Sequence, residues 1–145
     1  MHAFATIKSE FPKHFPIGVY TIPELSSVGP TEDELKAKNV DYVVGRAYYH
    51  ELARGYIKGD HYGILKLLVH RKNHKILGIH IMGEDASNLV HIGLAFMLKD
   101  GIVNDLIDMI FNYPTLAEAY RIAGFNALNK IYPDGRIKLP QPNAQ

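Results

Sequence analysis

The stretch that decides the fold is Ile64-Leu65-Lys66-Leu67-Leu68-Val69-His70, a short linker Arg71–His74, then Lys75-Ile76-Leu77-Gly78-Ile79-His80-Ile81-Met82. Leu65, Leu67 and Val69 fall at every second position of the first run, and Leu77, Ile79 and Ile81 do the same in the second. A period of two places alternate side chains on one face of a strand. The linker has the length of a common hairpin loop, so the two runs predict an antiparallel pair with one buried face.

Upstream, Tyr42–Tyr49 is a further predicted strand with apolar residues on both faces. Val19–Ile22 is β-prone, and Pro23 confines it to an edge or an end. Thr31-Glu32-Asp33-Glu34 fits a capping box that starts a short helix running to about Lys38, with Asn39 as its stop. Gly55, Gly59 and Gly63 punctuate a connection with a helical turn near Glu51–Arg54. Downstream of Gly83 the period lengthens to that of a helix. Ala86–Lys99 is apolar around most of its circumference, more than one sheet covers, so a further surface must cover the rest. Asp100-Gly101 ends it, and Val103–Met109 is a short helix. Thr115–Tyr132 carries Ala119, Ala123 and Ala127, a ridge of small residues suited to close helix approach. Strands come first and helices second, which predicts the α+β class.

The chain has 145 residues, suited to one domain. Residues 1-15 read as a leader, with a helical stub at Ala3, Phe4 and Ile7; 16-132 read as the domain; 133-145, with two prolines after Arg136, read as a mobile tail. With 16 basic and 15 acidic residues the formal charge is +1, which does not suggest a nucleic-acid or anionic-membrane partner. No apolar run reaches the length that spans a bilayer, and the reading is a soluble, cytoplasmic protein. Arg71, Lys72, His74 and Lys75 form the one basic cluster, read as a solvated turn.

Cysteine is absent, so no disulfide, thiolate metal site or thiol nucleophile can come from this chain. There is no G-x-G-x-x-G and no G-x-x-x-x-G-K, hence no recognisable nucleotide loop. The 8 histidines form no H-E-x-x-H, and no metal site is expected. His70 and His74 flank a hairpin turn, where helical spacing does not apply, and His80 in mid-strand reads as a hydrogen-bonded structural histidine. The segment Phe111-Asn112-Tyr113-Pro114-Thr115-Leu116-Ala117-Glu118-Ala119-Tyr120 gathers a polar aromatic, a proline and a carboxylate in one turn. Locally, Thr115 and Glu118 make a helix cap, with Glu118 on the free backbone N–H groups; an acid/base role is the other reading.

Three motifs together resemble the C-terminal dimerisation domain of the flavin-dependent pyridine nucleotide–disulfide oxidoreductases. Thr21-x-Pro23-Glu24 with Val28-Gly29-x-Thr31-Glu32 resembles the entry into that domain. Gly78-Ile79-His80-Ile81-Met82-Gly83 resembles its G-x-H-x-x-G strand, and Pro114-Thr115-x-x-Glu118 resembles its H-P-T-x-x-E signature. The motifs stand in the family's order over roughly Pro16–Tyr132. Tyr113 occupies the place of the family's catalytic histidine, and Asn88 stands where many members have glutamate. A tyrosine hydroxyl is a poor base near neutral pH, so thiol acid/base chemistry is not expected and Glu118 is a cap or a relic acid. Asn112–Thr115, Ile17–Glu24 and His91–Gly93 are most similar to the family's soluble transhydrogenase branch, which moves hydride between NADPH and NAD through FAD. The resemblance implies a homodimer in which Asn112, Tyr113 and Pro114 approach the partner subunit's FAD. It also implies FAD and NAD(P) domains ahead of this one, so that the chain is an excised or separately encoded piece, with no catalytic residue and no cofactor of its own. A free-standing α+β binding or regulatory domain, and a self-contained enzyme using Tyr113 and Glu118, are the alternatives.

Overall fold

The computed structural model describes residues 13–135. The Ala3–Phe4–Ile7 stub and the tail from Arg136 onward lie outside the described residues. Five strands, β1 (Ile17–Val19), β2 (Leu25–Val28), β3 (Tyr42–Tyr48), β4 (Ile64–His70) and β5 (Ile76–Met82), form one antiparallel sheet in the order β1-β2-β5-β4-β3. Helices α1 (Glu32–Ala37), α2 (Ala53–Lys58), α3 (Ala86–Met97), α4 (Val103–Asp108) and α5 (Ala119–Ile131) complete the α+β fold. The core lies between the sheet and the pair α3 and α5, built from Leu65, Leu67, Val69, Ile79 and Ile81 below and Leu89, Val90, Ala123 and Leu128 above.

The hairpin β4–β5 forms as its pattern predicts, with one departure. Leu67 pairs with Ile79 and Leu68 with Gly78, but Val69 pairs with Ile76. Leu77 is the extra residue of a β-bulge, and a bulge reverses which side chains face the core. Ile76 is therefore buried while Leu77 is only half-buried, against the expected Leu77–Ile79–Ile81 face.

The first predicted strand is displaced. Pairing is made by Ile17–Val19, and Thr21–Pro23 turns, with the Thr21 hydroxyl donating to the Pro23 carbonyl at 2.7 Å and a cis Ile22–Pro23 bond. Strand β2 had no visible signal, because Leu25-Ser26-Ser27-Val28 puts two hydroxyls mid-strand. Ser26 is buried nonetheless, its hydroxyl donating to the Ile17 carbonyl at 3.0 Å. Helix α1 has the expected box: the Thr31 N–H donates to Glu34 Oε2 at 2.7 Å and the Glu34 N–H to Thr31 Oγ1 at 3.3 Å.

The alanine ridge of α5 is fully buried, but it meets strand β3 rather than another helix. Gly45 makes this possible, since a Cβ there would overlap the Ala123 carbonyl oxygen. The same helix caps the free edge of β3. Asn126 Oδ1 accepts from the Arg46 N–H at 3.0 Å, and Lys130 Nζ donates to the Val44 carbonyl at 2.6 Å. An unpaired edge would invite another strand.

The basic turn is not wholly solvated. His74 is 1% exposed. Its Nδ1 lies 2.9 Å from Asn104 Oδ1 and its Nε2 3.1 Å from the Tyr132 hydroxyl, so the ring ties the hairpin to α4 and to the end of α5. The backbone joins in: the Val103 N–H donates to the His74 carbonyl at 2.9 Å. A polar side chain enters a core only when its nitrogens are satisfied, and sequence gave no notice of these partners.

Candidate functional site

The segment singled out by sequence divides at Pro114. After α4 ends, Met109 and Ile110 run out to solvent, Ile110 at 89% exposure. Asn112 and Tyr113 are exposed, Tyr113 at 75%, and the Tyr113–Pro114 bond is cis. Thr115 closes the loop, its hydroxyl donating to the Asn112 carbonyl at 2.8 Å. The Glu118 carboxylate accepts from the Thr115 N–H at 3.4 Å. Leu116–Glu118 forms a 3₁₀ turn before α5 proper begins at Ala119, so the expected continuous helix from Thr115 starts one turn late.

From Leu116 onward the segment is anchored. Leu116 and Tyr120 are buried. The Tyr120 hydroxyl donates to the Leu89 carbonyl at 2.7 Å and accepts from the Gly93 N–H at 3.2 Å, both within α3. Burial pushes the Tyr120 phenol well above its ordinary range, which keeps it a neutral donor. Gly93 is required here, because a Cβ would collide with Ile79 and press on the Tyr120 ring.

One pocket adjoins the loop, and a second shares Lys58 with it. The first, of about 280 Å³, lies between Arg54, Lys58, Asp85 and the turn Pro114–Leu116. The other, of about 480 Å³, has an apolar wall of Ile22, Pro23 and Tyr62 and a polar side of Glu24, Asp60 and Glu84. Its carboxylates are committed to structure. The Ser87 N–H and hydroxyl hold Glu24 below the usual carboxylate range. Burial disfavours the charged form of Asp60, but the N–H groups of Glu84, Gly63 and Tyr62 outweigh it and hold its carboxyl low. Lys58 pairs with Glu84. Arg54 beside Pro114–Thr115 was not foreseen, since it lies in a glycine-spaced connection with no motif around it.

The remaining candidates sit apart from this loop. His80 is half-buried on β5, with Nε2 3.1 Å from the Pro30 carbonyl, and burial lowers its pKa. Asn88 donates to Asp85 at 2.7 Å. Among the described residues no group of His, Asp and Glu is placed to hold a metal ion, and no helix is long and apolar enough to cross a membrane.

The comparisons with known proteins agree with one another. A family model described as the pyridine nucleotide-disulphide oxidoreductase dimerisation domain matches residues 15–123. The chain is 52% identical over 120 residues to a soluble pyridine nucleotide transhydrogenase of Marinobacter nauticus, covering 81% of this chain and 26% of that protein. It is 50% identical over 130 residues to one of Mycobacterium tuberculosis, covering 90% of this chain and 28% of that one. It therefore spans about a quarter of the length of these relatives. Among solved structures it is similar to the HOCl-induced flavoprotein disulfide reductase RclA from Escherichia coli, with a TM-score of 0.72, 28% identity, and coverage of 75% of this chain and 25% of that one. LpdA from Mycobacterium tuberculosis shares the fold, with a TM-score of 0.73, 22% identity, and coverage of 77% and 24%. The sheet order, the anchored turn at Pro114 and the family match together lead to one statement: the chain belongs to the pyridine nucleotide-disulphide oxidoreductase dimerisation domain family.

Proposed function

We propose that residues 16-132 act as the dimerisation module of an FAD-dependent soluble NAD(P)⁺ transhydrogenase, and that the chain has no turnover by itself. The similarity of about half the residues to soluble transhydrogenases carries this reading. The FAD, when bound by the other part of the enzyme, carries hydride from NADPH to NAD. This chain contributes the loop Asn112-Tyr113-Pro114, held out from the domain and directed to the partner subunit's FAD. Thr115 and Glu118 fix the base of the loop, and neither is a proton-transfer group. Tyr113 in place of the family's histidine suits hydride transfer, which needs no thiol base.

The homodimer uses the outer stripe of α3. Ile92, Leu94 and Phe96 are partly covered by the chain's own core, which accounts for some of the apolar excess read from sequence. His91, Ala95 and Leu98 remain exposed on a common stripe, and a two-fold contact covers such a stripe with its own copy. A free-standing binding domain is the second reading. In light scattering the chain runs as a dimer and Ala95→Glu as a monomer; a monomeric parent chain at high concentration favours the second reading. A chimera in which this chain replaces the matching part of the Marinobacter nauticus relative transfers hydride from NADPH to a thio-nicotinamide acceptor. Turnover by the chain alone, or none by a folded chimera, refutes the functional proposal.

A further inference from the structure

The sheet face turned away from α3 and α5 carries a pattern that the fold does not require. Cross-strand register sets Tyr48, Ile64, Met82, Leu25 and Val19 side by side, one from each strand. At the usual strand spacing this apolar row is about 19 Å long. Two positions along the strands, Arg46, Lys66 and His80 form a second, polar row, in which Arg46 and Lys66 supply two positive charges. Tyr48, Leu25 and Val19 are exposed, and Ile64 and Met82 are half-buried. A sheet with one wet face alternates apolar-in with polar-out, so an apolar row across all strands of the outer face marks a surface meant to be covered. Among the described residues Glu32 is the one carboxylate paired with Arg46 and Lys66, 2.9 Å from Lys66 Nζ and 3.9 Å from Arg46 Nη2. A pocket of about 320 Å³ opens between the rows, lined by Arg46, Ile64, Lys66, His80 and Met82.

We propose that this face docks the polypeptide which the relatives carry beyond the part matched here, and that it takes an apolar ridge flanked by carboxylates. The chain accounts for only 26% of the Marinobacter nauticus relative, so most of that protein is available as occupant. Apolar side chains of the ridge fill the row Tyr48–Val19. Carboxylates about 7 Å to one side, two residues along a strand, meet Arg46 and Lys66, whose two charges Glu32 alone does not balance. A second copy is the other possible occupant. A two-fold dimer uses one patch per copy, and that patch is the α3 stripe on the opposite side of the sheet; this step rests on the dimer reading above.

Met82→Lys placed in both the chain and the chimera tests the proposal. The thermal midpoint of the chimera falls at least twice as far as that of the chain, and the oligomeric state of the chain is unchanged. Equal shifts would overturn the proposal. So would loss of the chain's own dimer, which gives the face to a second copy. Arg46→Gln combined with Lys66→Gln is a second variant that buries no charge. Glu32 loses its partners equally in both proteins, so extra destabilisation of the chimera, present at low salt and screened at high salt, reports carboxylates opposite; its absence removes the acidic flank from the proposal. An unsubstituted chimera that fails to fold counts against docking, since the relative then lacks the matching ridge. Hydride transfer is scored separately, so an inactive chimera with the differential melting fails the functional reading and supports this one.

Discussion

Pro114 separates two stretches of similar composition and opposite fate. Met109–Tyr113 holds an isoleucine, a phenylalanine and a tyrosine, and most of its side chains face solvent. Leu116–Tyr120 holds a leucine and a tyrosine, and both are buried. The two tyrosines make the contrast sharpest. The Tyr120 hydroxyl bonds two backbone groups of α3, whereas Tyr113 makes no hydrogen bond among the described residues. Apolar character alone therefore does not say which residues stabilise this domain. The buried half holds the loop in place, and the exposed half is free to meet something else.

The strongest way to break that contrast is Tyr120→Ala. It removes a fully buried ring and the hydroxyl that bonds two α3 backbone groups. A loss of about 3–5 kcal/mol is expected, read from the urea midpoint with an unchanged slope. A loss below about 1 kcal/mol would mean that α5 is not held to α3 through this side chain.

Tyr120→Phe sharpens the comparison, because it keeps the ring and removes only the hydroxyl. The Leu89 carbonyl and the Gly93 N–H stand four residues apart on α3 and still pair with each other, so only the bonds through the hydroxyl are lost, about 0.5–1.5 kcal/mol. The difference between the two variants separates ring packing from hydrogen bonding.

The α+β class and the hairpin were legible because period-two alternation is a strong local signal in Leu65–Val69 and Ile79–Ile81. The box at Thr31 was legible because a cap is local chemistry, whereas at Thr115 only the Glu118 half forms, because the Thr115 hydroxyl donates to the Asn112 carbonyl. What failed depended on distant partners. The bulge at Leu77 is set by pairing with β4, and β2 is recruited by β5 despite its two serines. His74 is buried by groups some thirty and sixty residues away, Asn104 and Tyr132. The alanine ridge announced close approach but not its target, because Gly45 lies in a strand read without reference to the helix. At the candidate site, sequence placed the loop and its cap, while Arg54 and the shared pocket wall at Lys58 emerge only when α2 folds against Pro114.

Asp60 tests whether the wall of the larger pocket is held by charge. Its folded-state pKa lies below the unfolded value, so as pH falls the unfolded chain binds its proton first. Its contribution is present above about pH 4 and is lost as pH falls through the lower folded-state range. With a half-exposed carboxylate the effect is under about 1 kcal/mol. Asp60→Asn removes this acid-sensitive part, so the urea midpoints of variant and parent converge between pH 5 and roughly pH 3. A gap that stays constant with pH would assign the role to shape rather than charge.

Tyr113→Ala has the smallest expected effect on the fold and the most direct bearing on the contrast. A side chain exposed at 75% that makes no hydrogen bond among the described residues contributes within about ±0.5 kcal/mol. In the chimera, the proposed placement of the loop has the same change lower hydride transfer at least tenfold, about 1.4 kcal/mol of barrier, by removing the ring proposed to face the partner's flavin. Tyr113→His leaves stability equally unchanged and separates ring from hydroxyl, since imidazole keeps a flat polar ring of similar reach. If Tyr113→Ala costs as much stability as Tyr120→Phe, the loop is a structural part of this domain. If it leaves both stability and hydride transfer unchanged, Tyr113 is a bystander, and the exposed half of the segment serves contact between subunits through Ile110 and Met109 instead.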